Sequence, residues 1–135
     1  MEEKEVTLTP RDFNEALFEL FYADLERGTL AQVPEPTPEE RAACLQEREE
    51  ILSRLFPQGV ENVPMTRSMR MNLANEQIPI DVVLRVEKTF DHYFRNLKPL
   101  LGMVHQCQRA KQRLYEALGY QWYTTADIYP GLLID

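Results

Sequence analysis

The chain has 135 residues, 44% hydrophobic and 27% charged, an ordinary composition for a globular protein and enough for one domain with a sizeable core. Its net charge of −7 opposes tight non-specific binding to nucleic acid or anionic membranes, and no apolar run approaches the roughly 18 residues of a membrane span. Cys44 and Cys107, the only cysteines, are too few for a disulfide framework.

The acidic start Met-Glu-Glu-Lys-Glu leads into no signal-peptide core, so a cytoplasmic chain with free thiols is expected. Charge is unevenly spread. Residues 1–50 hold 14 acids against 5 bases, and residues 51–135 hold 8 acids against 10 bases. An acidic half and a mildly basic half in one small domain can attract each other.

Residues 1–8 read as an arm. Thr9-Pro10-Arg11-Asp12 is a helix start, because Thr9 can accept from the first free amides and Pro10 suits the first helical position. The helix runs to about Arg27, with Gly28 as its stop. Phe13, Leu17, Leu20 and Phe21 form one apolar row, and Phe18, Tyr22 and Leu25 another, which predicts burial on most sides. Asp12, Glu15 and Glu19 line the wet edge.

Residues 28–37 carry Pro34 and Pro36 and read as an extended connection. Thr37-Pro38-Glu39-Glu40 repeats the start signal, with Glu40 placed for a capping box. The second helix runs to about Phe56, with Leu45, Ile51, Leu52, Leu55 and Phe56 as its apolar face and Glu50–Arg54 as a surface pair. After a connection over 60–65, Thr66 can cap a short helix reaching about Glu76. Pro79 suits the start of the next.

That next stretch, Ile80–Leu118, organises the rest. Val83, Val86, Phe90, Tyr93, Leu97, Leu100, Val104, Cys107, Lys111, Leu114 and Leu118 follow a helical repeat, and only Lys111 is not apolar or aromatic. Pro99 and Gly102 interrupt it, yet the phase holds across them. The pattern favours one long helix over about 80–118, kinked at Pro99, over the alternative of two helices joined by a tight corner. Its 39 residues would span about 58 Å, against a radius of gyration of about 14 Å for a compact chain of this size. The other helices cannot cover such a rod, so a homodimer through its seam is expected. The tail, residues 119–135, holds Tyr120, Trp122, Tyr123, Ile128 and Tyr129 without helical spacing, and is too apolar to be free. It is expected to pack across the bundle or against a partner.

Chemistry is scarce. No nucleophile elbow, phosphate loop, dinucleotide fingerprint or zinc-protease motif occurs. The Glu-x-x-His of di-metal bundles is absent, since Thr89 and Gly102 stand three residues before His92 and His105. Both histidines fall on the outer side of the long helix. No cofactor is implied. The basic residues Arg85, Lys88, Arg95, Lys98, Arg109 and Arg113 lie opposite the seam, where a stripe could track a phosphate backbone or pair with the acidic helices. Residues 66–86, with Arg67 and Arg70, loosely resemble a helix-turn-helix, but the turn lacks glycine and Asp81 sits where phosphate would lie.

The expectation is therefore a single all-α domain over 1–135, a helical bundle of four main helices plus one short helix. It is read as a non-enzymatic protein-interaction module, with Tyr120, Trp122 and Tyr123 as anchors. The alternative is a small nucleic-acid-binding regulator using the basic stripe or residues 66–86.

Overall fold

The two start signals do what their residues dictate. Helix α1 (Pro10–Arg27) opens on Thr9, whose hydroxyl accepts from Asp12 N while the Asp12 carboxylate accepts from Thr9 N, a reciprocal capping box. Gly28 closes it in the left-handed region at φ 69°. Helix α2 (Pro38–Leu55) opens on the same box between Thr37 and Glu40. The computed structural model describes residues 9–59 and 67–124. Among the described residues three further helices bring the number to five: α3 (Arg67–Glu76), α4 (Ile80–Phe94) and α5 (Val104–Ala117). Four of these have 14 to 18 residues and α3 has 10; the described residues contain no strand.

The long helix expected over 80–118 is two helices, α4 and α5, separated by residues 95–103. Pro99 has no amide hydrogen, and the residue before a proline avoids the helical region, so the ladder cannot run through Lys98 and Pro99. Gly102 turns the chain at φ 85°. A distant side chain then holds the corner. Buried Asn14 of α1 donates from Nδ2 to Lys98 O at 2.8 Å and accepts from Lys98 N at 2.9 Å. The carboxamide thus supplies both hydrogen bonds that a continuing helix would have made there.

Three helices share the core. Phe21 of α1 is fully buried and meets Tyr93 and Phe94 of α4 at ring-centroid distances of 5.4 and 5.2 Å. Ala110, Leu114 and Tyr115 of α5 and Val86 of α4 close the cluster. The Lys111–Glu87 pair and the Asn14–Lys98 bonds set α4 antiparallel to both α5 and α1. Tyr93 adds a polar tie: its hydroxyl donates to Asp24 Oδ2 at 2.6 Å and accepts from Ala31 N at 2.9 Å. α1 is less enclosed than its apolar rows imply, since Leu20 is exposed.

α2 lies antiparallel along α4, and none of its described side chains joins that cluster. Ion pairs join it to its neighbours: Arg41–Asp81, Lys88–Glu40 at 3.0 Å, and Arg48, which sits 2.7 Å from Glu76 Oε2 and donates to Ile78 O at 2.8 Å; of its expected apolar face, Phe56 is buried and Ile51 and Leu52 half-buried. Leu45, read as part of an apolar face, is exposed, and Glu50 takes a hydrogen bond from Gln46.

Beyond α5 the backbone turns at Gly119, φ 88°. A second asparagine clamp holds the segment after this turn: Asn75 of α3 donates to Tyr123 O at 3.1 Å and accepts from Tyr123 N at 2.9 Å. Gln112 donates to Trp122 O at 2.8 Å, and the Trp122 ring stacks on Tyr115 at 5.3 Å. The expected arm over 1–8 and tail residues 125–135 lie outside the described residues.

Candidate protein-interaction surface

The corner between α4 and α5 is where three exposed apolar side chains stand together. Leu101 is 100% exposed, Val104 71% and Leu100 39%. Scattered exposed leucines are normal, but adjacent ones on a short corner make a patch. A groove opens on each side of it.

The first groove runs between α1 and α5. Phe18 and Tyr22 of α1 form its floor with Met103, and Leu101, His105 and Arg109 form the α5 wall. The α1 wall is acidic, with Glu15, Glu19 and Glu26 along its rim. Burial pushes the Tyr22 phenol up, against the pull of Arg113 and Arg109, so it stays a neutral hydrogen-bonding group at the groove's inner end. His105, expected on the outer side, is half-buried in this wall, while His92 is exposed beside Arg95.

The second groove lies between α4 and α5. Its lining includes Phe90, Leu97, Leu100, Val104, Cys107 and Lys111, all members of the helical repeat read from the sequence; Tyr93, between Phe90 and Leu97 in that repeat, is buried in the core instead. The corner breaks the helix but leaves these residues on one face. Among the described residues, no aspartate or glutamate lines this groove. Its lysine is already engaged: Lys111 Nζ is 3.1 Å from Glu87 and 4.8 Å from the Phe90 ring centre. Burial raises the Cys107 thiol, which keeps it protonated and apolar in character.

Of the three tail aromatics, Trp122 lines this second groove while its face stacks on Tyr115. Tyr120 packs on the core cluster, and Tyr123 is held through its backbone by Asn75. Two of the three are thus engaged inside the fold, and Trp122 alone borders a groove. Sequence reading missed the acidic-walled groove. Its signal was present in part, as the Glu15–Glu19 edge beside Phe18 and Tyr22, but the α5 wall that completes it comes from a corner no periodicity announces.

The basic residues are dispersed over two helices and the corner between them rather than arrayed on one. Lys88 and Arg85 face Glu40 and Glu35 at 3.0 and 3.7 Å. Arg113 reaches Glu116 at 3.7 Å, Arg95 meets His92, Arg109 bonds Gln112, and Lys98 lies over the Phe13 ring. Arg70 is exposed, and the Arg67 side chain lies outside the described residues. In the segment read as loosely like a helix-turn-helix, Asp81 pairs with Arg41 of α2.

Among the described residues, no group of three or more histidine, cysteine or acidic side chains could hold a metal, and no helix is long and apolar enough to cross a membrane. No protein-family model matches the chain, and comparison with curated proteins and with solved structures finds no significant match.

Proposed function

We propose that this chain is a non-enzymatic helical interaction module that pairs with a second copy of itself through the groove between α4 and α5. The supporting observation is the acid-free lining that ends in exposed Leu100 and Val104. A chain of net charge −7 repels its copy at most faces, so self-association favours a surface without carboxylates. This groove is such a surface; the acidic-walled one is not. Trp122 at the groove's edge is the aromatic anchor, with Leu100 and Val104 as the apolar contacts around it.

The nucleic-acid reading is weakened because Arg85, Lys88 and Arg113 face carboxylates of the same chain. Retention on DNA that falls steeply with added salt would restore it.

Sedimentation at micromolar concentration tests the pairing. The expected mass is twice that of the chain, falling to one chain for Val104→Glu, whose site is too exposed to affect folding. A wild-type monomer under these conditions overturns the proposal. So does a dimer that Val104→Glu leaves intact.

A further inference from the structure

We propose that the other groove, between α1 and α5, binds an amphipathic α-helix of about four turns whose apolar face is flanked by lysine or arginine. It is a second face of the same interaction module; it shares Leu100 and Met103 with the groove between α4 and α5 but not Val104.

The shape fits a helix. Tyr22 beside Arg109 and Asn14 beside Met103 set α1 and α5 running in the same direction, leaving a trough between two helical ridges. The lining extends along α1 from Arg11 to Glu26, a span of about 22 Å, the length of a helix of about 15 residues. Phe18 and Tyr22 give its floor apolar area. Leu101, wholly exposed at the rim, has no contact to lose and apolar surface to bury.

The charge selects the flank. Glu15, Glu19 and Glu26 sit along one wall, and among the described residues only Glu15 has an ion-pair partner, the exposed Arg11 at 3.4 Å. A cationic edge on the incoming helix meets Glu19 and Glu26 without displacing an internal pair. Other occupants fare worse. A second copy would set the same carboxylates face to face. Nucleic acid and anionic lipid surfaces are repelled by the acidic wall. The basic side chains of α4 that could serve as an internal ligand, Arg85 and Lys88, already face Glu35 and Glu40.

Fluorescence anisotropy of two labelled peptides against the full chain tests this. One is a four-turn leucine–lysine amphipathic helix, and the other has the same leucines with glutamate for lysine. The lysine peptide is expected to bind at least about tenfold tighter at low salt. Glu19→Lys with Glu26→Lys should weaken it about tenfold, and Leu101→Ser several-fold. Glu49→Lys with Glu50→Lys makes the same charge change on the exposed face of α2, and should alter affinity less than about twofold. Absence of lysine-peptide binding overturns the proposal. So does an α2 double variant that weakens binding as much as the groove variant, which would mean attraction to bulk acidity alone, or indifference to Leu101→Ser. Val104→Glu separates the two readings: it should remove the dimer and leave peptide affinity unchanged.

Discussion

α1, α4 and α5 hold one another through rings, whereas α2 holds to α4 through charges. Phe21 is enclosed by Tyr22, Tyr93 and Phe94 and has no exposed surface. α2 places Glu40, Arg41 and Arg48 against Lys88, Asp81 and Glu76, and of its pairs only Arg48–Glu76 is mostly shielded from solvent. Apolar burial is insensitive to ionic strength and to local pH, while exposed pairs are worth under about 1 kcal/mol each and are screened by salt. The described residues therefore contain a three-helix unit closed by rings and a helix attached by weaker, tunable contacts.

The largest test of that contrast is Phe21→Ala. It deletes the ring at the centre of the cluster and should cost about 3–5 kcal/mol in denaturant unfolding, taking all helices together. A loss below about 1 kcal/mol would mean that the core is not the cooperative unit.

Much of the ring unit was legible in the sequence, because its information is local. Thr9-Pro10 and Thr37-Pro38 set the starts of α1 and α2, and Gly28 set the end of α1, each within its own turn. Phe21, Val86, Tyr93 and Leu114 all lay on the apolar rows. The corner was legible only as the less favoured alternative to a kink, through Pro99 and Gly102. Leu97, Leu100 and Val104 keep helical phase by coincidence of spacing, and the carboxamide that fixes the break is 84 residues away at Asn14. Periodicity reports which side chains are apolar; it is blind to a backbone partner supplied from another helix. The grooves share that fate: their walls meet only because Asn14 and Gly102 fold the chain there.

The two asparagine clamps give the next largest effects and compare like with like. Asn14 is buried and Asn75 half-buried, yet each holds the amide and carbonyl of one extended residue. Asn14→Ala should cost about 2 kcal/mol and Asn75→Ala about 1 kcal/mol in the same unfolding measurement. Asn75→Ala has its own signature. With Tyr123 released, the lone tryptophan should unstack from Tyr115 and shift its emission, whereas Asn14→Ala should leave that emission unchanged.

Removing charges should act on α2 alone. Lys88→Ala removes a partly exposed pair and should cost less than about 1 kcal/mol, seen as faster amide exchange in α2 with the ring unit unchanged. Arg48→Ala should cost about 1–3 kcal/mol, because it strands Glu76 in a shielded site and frees the carbonyl of Ile78. Raised salt should loosen α2 in the wild type and, by still screening the exposed Arg41–Asp81 pair, loosen it to a smaller further extent in the variant. Equal exchange in α1 and α2 under raised salt would erase the distinction between the two regions.

The smallest effect is the dependence of α2 on pH, and its two glutamates act in opposite directions. The hydrogen-bonding ammonium of Lys88, helped by the Thr37 backbone, holds Glu40 below the ordinary glutamate value of 4.5. Its stabilisation is full above 4.5 and is lost as pH falls through the depressed value. Burial pushes Glu76 above that ordinary value, against the pull of Arg48. Its charged form is disfavoured in the folded chain, so attachment strengthens as pH falls from neutral through the raised value and levels off below 4.5. Together they give α2 its firmest attachment near the ordinary glutamate value, weaker at neutral pH and weaker again in stronger acid. Exchange protection in α2, corrected for the intrinsic rate, should trace that maximum. Lys88→Ala should flatten its acid side and Glu76→Gln its neutral side. The reading has to be local, because the Tyr93 hydroxyl holds Asp24 low in the ring unit as well, and that unit also weakens in strong acid. Protection that rises up to about the ordinary glutamate value of 4.5 and then stays level to neutral pH would assign the attachment of α2 to Glu40 alone and leave Glu76 no part in it.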